Sequence, residues 1–143
     1  MNNFDVFISF QDSLQIYPKN EAGNFIVQLP KTIILSGGAW RCAVNSIRIK
    51  KSVGEEDTVA VITSDLCEDT LCYGTYASIL SEFMLKKDAG WHEEIYTSPR
   101  FVSLRKDSMS FFTVNIRPLK ENERLALLDA RIHLIFKKIP GCH

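Results

Sequence analysis

Apolar and polar residues alternate along several segments of this chain, as they do in β-strands that bury one face. Residues 24–30 show the alternation, and residues 39–44 repeat it after Gly37-Gly38. A longer run near the C-terminus has apolar and polar residues on opposite faces: Leu128, Ala130, Ile132, Leu134 and Phe136 against Asp129, Arg131, His133 and Lys137. These runs predict a small all-β protein whose strands form a sandwich.

The apolar positions change phase within the strand that follows Gly38. They are even-numbered at first and odd-numbered later: Trp40, Cys42, Val44, Ile47 and Ile49. A slip of one residue moves side chains to the other face of a sheet unless an extra residue is accommodated. The sequence therefore predicts a β-bulge near Asn45-Ser46.

The turn before this strand contains Gly37-Gly38, a pair typical of hairpins. We expect a hairpin there. The two flanking strands would then be neighbours, and Trp40 would contact Phe25 or Val27 across the same sheet.

One segment has the period of a helix instead of a strand. Its apolar residues follow the spacing i, i+3, i+4, i+7, i+8: Tyr76, Ile79, Leu80, Phe83 and Met84. We therefore expect one short helix over residues 76–86. At the N-terminus, residues 4–10 and 14–16 are expected to form two paired strands.

Length and charge limit the possible functions. A chain of 143 residues is the usual size of one domain, so residues 1–143 should form a single β-sandwich domain. The 17 basic residues are balanced by 17 acidic ones, which makes nucleic acid a poor candidate partner. No apolar run reaches the roughly 18 residues of a membrane span, and residues 1–5 lack the pattern of a signal peptide. We expect no membrane partner and no signal peptide.

The cysteines give little chemistry. Cys42, Cys67, Cys72 and Cys142 are too sparse for a disulfide framework, so we expect reduced thiols, with Cys42 in the core. Cys67 and Cys72 lack a second pair of ligands at zinc spacing, although His92 could approach them in space. The sequence predicts no metal site and no cofactor.

Catalytic patterns are equally weak. His92-Glu93-Glu94 could supply an acid and a base, but adjacent charged residues in a loop are usually solvated. His133 falls on the polar face of the last strand, where an exposed strand residue is the simpler interpretation. The chain has neither a nucleophile motif nor a glycine-rich phosphate loop. We expect no catalytic residues and no enzyme.

Basic residues occur near both ends of the predicted sheet: Arg48, Lys50, Lys51, Arg131, Lys137 and Lys138. If their strands were neighbours, these residues would form a patch for nucleic acid or an acidic partner. Because no exposed aromatic residues are interleaved with them in the sequence, protection of strand edges is the preferred interpretation.

Four apolar residues lie on the otherwise polar faces of their strands: Phe7, Ile26, Phe111 and Ile135. We predict that they form a surface for self-association. The alternative is that loops or the 76–86 helix cover both faces of these strands.

A spaced set of residues carries a family resemblance: Phe25, Val27, Leu29-Pro30, Leu35, Gly38, Trp40, Ala43-Val44 and Ile47. The set resembles a pattern in capsid or capsid-associated proteins of viruses of the Maverick, adintovirus and adomavirus type. The resemblance implies a single jelly-roll-like antiparallel β-sandwich without catalytic residues, and a penton-like or minor capsid protein. Because penton-type jelly rolls are usually longer, a cement protein or a spike head stays open.

The function expected from the sequence is therefore structural. The protein would be made inside the host cell and reside in the virion. Its partners would be copies of itself, as a pentamer or trimer, and a major capsid protein, contacted through loops and strand edges. The alternative is a spike-head module that binds a receptor or glycan.

Overall fold

The computed structural model describes residues 3–35, 39–72, 74–119 and 125–139, with Cys72 and Thr75 described by their backbone only. Strands dominate these residues. The elements are, in chain order, β1 (Asn3–Ser9), α1 (Phe10–Ser13), β2 (Asn24–Ile34), β3 (Ala39–Lys51), β4 (Thr58–Ser64), β5 (Thr70–Cys72), β6 (Thr75–Ala77), β7 (Ile79–Leu85), β8 (Gly90–Ile95), β9 (Val102–Ser103), β10 (Ser108–Pro118) and β11 (Leu127–Ile139).

The long strands form two antiparallel sheets. Sheet A has the order β1-β11-β3-β8, and β9 also pairs with β3. Sheet B has the order β2-β10-β4-β7, while β5 and β6 form a separate short ribbon. Most connections cross from one sheet to the other, which gives the eight long strands the order of a jelly roll. The predicted all-β, jelly-roll-like antiparallel sandwich is confirmed.

The core lies between the two sheets and is made by the inward residues of both. Its largest fully buried side chains include Phe25, Phe112, Phe136, Ile47, Ile49, Ile62, Leu80, Leu85 and Leu134. Burial of these residues is the main favourable contribution to folding, at roughly 1.5–3 kcal/mol per large apolar side chain. Cys42 is fully buried among them, as its alternation with apolar neighbours predicted.

The predicted helix over residues 76–86 is wrong, because this segment forms β6 and β7. Phe83 and Leu85 are buried, whereas Tyr76 is 73% exposed and Met84 is 51% exposed, which is the alternation of a strand. The pairing of β4 with β7 shifts register between Ile62 and Thr63. This shift accommodates Leu80 as the extra buried residue of β7. The apolar spacing of three or four residues in this segment therefore comes from a strand whose pairing with its neighbour shifts register.

The described helix is α1, which replaces part of the two strands predicted at the N-terminus. The Ser9 side chain caps it by accepting a hydrogen bond of 3.3 Å from the Asp12 backbone N–H. Ser13 Oγ, which is buried, donates to the Phe10 carbonyl at 2.6 Å. These local bonds favour a helical turn, so only the predicted strand before Phe10 is confirmed.

The predicted bulge in β3 is confirmed. Ser46 lies opposite His133 and Val44 lies opposite Leu134, which leaves Asn45 as the extra residue. The bulge allows Cys42, Val44 and Ile47 all to be buried despite their change of phase.

The predicted hairpin is wrong. Gly37-Gly38 itself lies outside the described residues, but β2 belongs to sheet B and β3 to sheet A. Trp40 is therefore not a cross-strand neighbour of Phe25 or Val27. It is half-buried, and its ring lies 5.5 Å from that of Phe4 in β1.

The faces of β11 also differ from the expectation at one end. Leu128, expected to point inward, is 51% exposed, and Asp129, expected to be exposed, is buried. The cause is a register shift in the pairing with β3 between Leu127 and Asp129.

In the ranges that the structure describes, no helix is long and apolar enough to cross a membrane.

The two positions Phe112 and Trp40 test this description of the core. We expect Phe112→Ala to lower the free energy of unfolding by about 3–5 kcal/mol, because Phe112 is fully buried between the sheets. Trp40→Ala should cost less, since part of its ring is already in water in the folded protein. Urea denaturation measures both, and equal losses would contradict the peripheral position of Trp40.

Candidate interaction surfaces

The outward residues of sheet A form a surface that we call face A. Cross-strand register places Ser9, Arg131, Arg48 and Glu93 in one row, and Phe7, His133, Ser46 and Ile95 in the next. The residues of both rows that come from β1, β11 and β3 line a surface depression of about 420 Å³ together with Gln11 and Asp12. Face A therefore combines charged and aromatic side chains in the middle of a sheet.

Arg48 and Arg131 lie directly opposite each other and share one aromatic neighbour. Their guanidinium carbons lie 5.0 Å and 5.3 Å from the Trp91 ring centroid. Arg48 Nε also lies 3.1 Å from Glu93 Oε2, and Arg131 Nε lies 4.0 Å from Asp129 Oδ2. Cation–π contacts and ion pairs thus offset the repulsion between two adjacent arginines.

The interpretation of the basic residues as edge protection is wrong for most of them, since β3 and β11 are the central strands of sheet A. The exposed aromatic residue missing from the sequence pattern is Trp91, which comes from β8. Lys51 is not part of the surface, because it is buried and its Nζ donates to the carbonyls of Lys87 and Asp88 at 3.1 Å and 3.2 Å.

His133 forms a hydrogen-bonded group beneath Phe7. The Asn45 amide donates to His133 Nδ1 at 3.0 Å, so Nε2 carries the proton that it donates to Asp5 Oδ1 at 2.8 Å. The Phe7 ring stacks on the imidazole at 4.2 Å and is 76% exposed. His133 is thus not the fully exposed strand residue predicted from the sequence; it supports an exposed aromatic ring.

The outward residues of sheet B form face B, which has few charges. Within the paired segments, the charged residues are Glu82 and Arg117, on either side of Val61. The other outward residues are polar or apolar: Asn24, Ile26, Gln28, Phe111, Thr113, Asn115, Val59, Thr63 and Met84. Phe111 is 53% exposed and Met84 is 51% exposed. Depletion of charge with exposed aromatic and methionine side chains is typical of the centre of a protein interface.

The four predicted interface residues divide between the two faces. Phe7 and Ile135 lie on face A, and Ile26 and Phe111 lie on face B. Phe7 and Phe111 are exposed, whereas Ile26 and Ile135 are half-buried. All four belong to the last two strands at one side of each sheet. These strand pairs are β1 with β11 and β2 with β10, and they lie at the same side of the sandwich.

The segment between β1 and β2 connects these two groups along that side. A groove of about 130 Å³ is lined by Phe7, Ile16, Tyr17, Val27 and Gln28. Ile16 is 58% exposed, and the Tyr17 hydroxyl donates to Gln28 Oε1 at 2.9 Å. Gln28 in turn lies opposite Phe111. Exposed apolar and aromatic side chains, interrupted by Gln28, therefore extend from Phe7 over this edge to Phe111.

Both edges of sheet B carry a side chain that occupies backbone groups. At β2, the Asn20 amide accepts from the Ile26 N–H at 3.1 Å and donates to the Ile26 carbonyl at 3.0 Å. At β7, the Tyr96 hydroxyl donates to the Glu82 carbonyl at 2.9 Å, and burial raises the pKa of Tyr96. Such contacts discourage the addition of a further strand. The faces of sheet B are thus better suited to assembly than its edges.

The residues considered for chemistry lie in different environments. Cys67 is buried, and His92, in β8 and not in a loop as expected, has its Nε2 2.8 Å from the Asp88 carbonyl oxygen. The side chain of Cys72 and all of Cys142 lie outside the described residues. Within the described part of the chain, no three His, Cys, Asp or Glu side chains are placed to hold a metal ion.

The surface residues that sequence patterns missed are Trp91, Met84 and Asn20. Trp91 precedes His92-Glu93-Glu94, for which the sequence predicts a loop, and Met84 falls on the apolar side of the predicted helix. The alternation of Ser81, Phe83 and Leu85 with Glu82, Met84 and Lys86 was the available signal for Met84. Nothing in the sequence indicated the contact of Asn20 with β2.

Comparison with known proteins shows a similarity to a solved structure. No protein-family model matches the chain, and no curated protein matches its sequence. Among solved structures, the crystal structure of the mavirus penton protein superimposes with a TM-score of 0.69 and 7% sequence identity. The alignment covers 97% of this chain and 100% of the penton chain. This chain has the fold of the mavirus penton protein.

The similarity confirms the penton-like jelly roll implied by the residue pattern. At 7% identity it concerns the fold alone.

The contact of Asn20 with β2 can be tested by its removal. Asn20→Ala leaves the N–H and carbonyl of Ile26 without their described partner, so we expect a loss of about 1–3 kcal/mol in the free energy of unfolding. The matched control is Asn24→Ala. Asn24 is exposed and lies on β2, the strand that contains Ile26, so this change should alter stability by less than about 0.5 kcal/mol. Equal effects in urea denaturation would show that Asn20 does not secure this edge.

The buried thiols give a pH-dependent expectation. Burial raises the pKa of Cys67 from 9.0 to about 12, and burial also raises the pKa of Cys42. The folded protein therefore retains protons that the unfolded chain releases, so stability should fall as the pH rises above about 9. In a Cys72→Ser, Cys142→Ser background, a thiol reagent at pH 8 should modify neither remaining cysteine until denaturant is added. Rapid modification of the folded protein would contradict their burial.

Proposed function

We propose that this protein is a non-enzymatic structural component of a viral particle, a penton-like or minor capsid protein of a Maverick, adintovirus or adomavirus type of virus. The observation that supports this most is the end-to-end similarity in fold to the mavirus penton protein. A jelly roll by itself serves many functions, so the function also depends on the residues at its surfaces.

The surfaces support a function in assembly. Face B is poor in charge and exposes Phe111 and Met84, while face A exposes Phe7 and Trp91. Each face of the sandwich thus exposes large aromatic or methionine side chains, and exposed side chains of these types are typical of protein interaction sites. We therefore propose self-association through Phe7, Ile26, Phe111 and Ile135 into a ring of five, located at the virion and in contact with a major capsid protein.

The mass of the purified chain in solution tests the ring. We expect light scattering to give the mass of five copies, with three copies expected for a spike head. Phe111→Asp with Ile135→Asp should give folded monomers, because a charge placed in an apolar interface loses its hydration without a partner. The matched control is Val53→Asp, at a 72% exposed loop position, which should leave the mass unchanged.

Binding to particles tests the capsid assignment separately. We expect the chain to associate with purified particles of its virus at a fixed ratio to the major capsid protein. A monomer at high concentration that binds a glycan or a cell surface saturably would instead support the spike-head alternative.

A further inference from the structure

The positions of the four interface residues indicate how copies would meet. Phe7 and Ile135 point away from sheet A, and Ile26 and Phe111 point away from sheet B. A two-fold dimer joins the same patch on both copies, so it would cover one of these faces and leave the other exposed. A head-to-tail ring covers both faces of every copy.

The side of the sandwich on which these residues lie gives the ring its direction. Two faces of a flat sandwich point in opposite directions, so contact over whole faces would produce an open stack. Contacts confined to one side make each copy a wedge, and wedges close into a ring around that side. The four residues occupy the strand pairs β1-β11 and β2-β10, which share one side with α1.

The charges on face A are compatible with a neighbour that has few charges. Arg48 is paired with Glu93, Arg131 lies beside Asp129, and Asp5 is bonded to His133. A charged group that already has its partner costs less to cover than an isolated one. Covering these residues with face B, where Phe111 and Met84 are exposed, would therefore leave them with their present partners.

A contact that also covers the edge comes closer to the size of a standard interface than one face alone. Four strands about 4.8 Å apart and about seven residues long give a sheet roughly 19 Å by 23 Å, or about 440 Å² in projection. A standard interface buries about 800 Å² per partner. The segment that follows α1, with Ile16 and Tyr17, is the adjoining apolar surface that can add to the contact.

We propose that face A near β1 of one copy packs on face B near β2 of the next, with the β1-α1-β2 edge directed toward the ring axis. This arrangement rests on the self-association proposed above. It assigns Phe7 and Phe111 to opposite sides of the same junction, and it places Ile16 near the axis.

Disulfide trapping tests this junction. One chain carries Phe7→Cys and a second carries Phe111→Cys, both with Cys72→Ser and Cys142→Ser so that the described thiols left are the buried Cys42 and Cys67. On mild oxidation of the mixture, we expect the disulfide between positions 7 and 111 to predominate, as identified by mass spectrometry. Trapping also records contacts that are too weak to survive chromatography.

The control chain carries Val53→Cys in the same background and should give no disulfide with either partner. Predominance of 7–7 or 111–111 disulfides would show a two-fold contact and overturn the arrangement, as would equal trapping of the control. If the unsubstituted chain is a ring but the 7–111 disulfide is absent, the arrangement fails while the proposed function stands. If the unsubstituted chain is a monomer at high concentration, the proposed ring itself fails.

Discussion

The pairing of β3 with β11 is the interaction on which the other elements of sheet A depend. Both strands have thirteen residues and lie in the centre of that sheet, with β1 attached to β11 and with β8 and β9 attached to β3. Their inward residues, such as Cys42 and Phe136, enter the core, and their outward residues place Arg48 opposite Arg131. The same ladder thus builds the core on one side and face A on the other.

The bulge at Asn45 contributes both to the core and to face A. It corrects the phase of β3 so that both Val44 and Ile47 are buried. It also presents the Asn45 amide to His133, which fixes the imidazole under Phe7. A local irregularity needed for the core therefore supports an exposed aromatic ring on the surface.

The two faces differ because their strands receive different neighbours. On face A, β8 brings Trp91 beside two arginines and pairs Glu93 with Arg48. On face B, the outward residues of β4 and β10 are mostly apolar or uncharged, and the edges of the sheet are occupied by Asn20 and Tyr96. Surfaces of this kind favour contact between faces over the addition of strands.

The sequence by itself determined the strands with regular alternation, the bulge near Asn45 and the burial of Cys42, because period-two patterns and phase slips are local properties of the chain. It did not determine the partners of the strands. Residues 76–86 satisfy a helical spacing, and the pairing of β6 with β5 and of β7 with β4 makes strands of them instead. The division of Phe7 and Phe111 between two faces, and the meeting of Arg48, Trp91 and Arg131, were likewise decided by the tertiary structure, since they depend on register between strands distant in sequence.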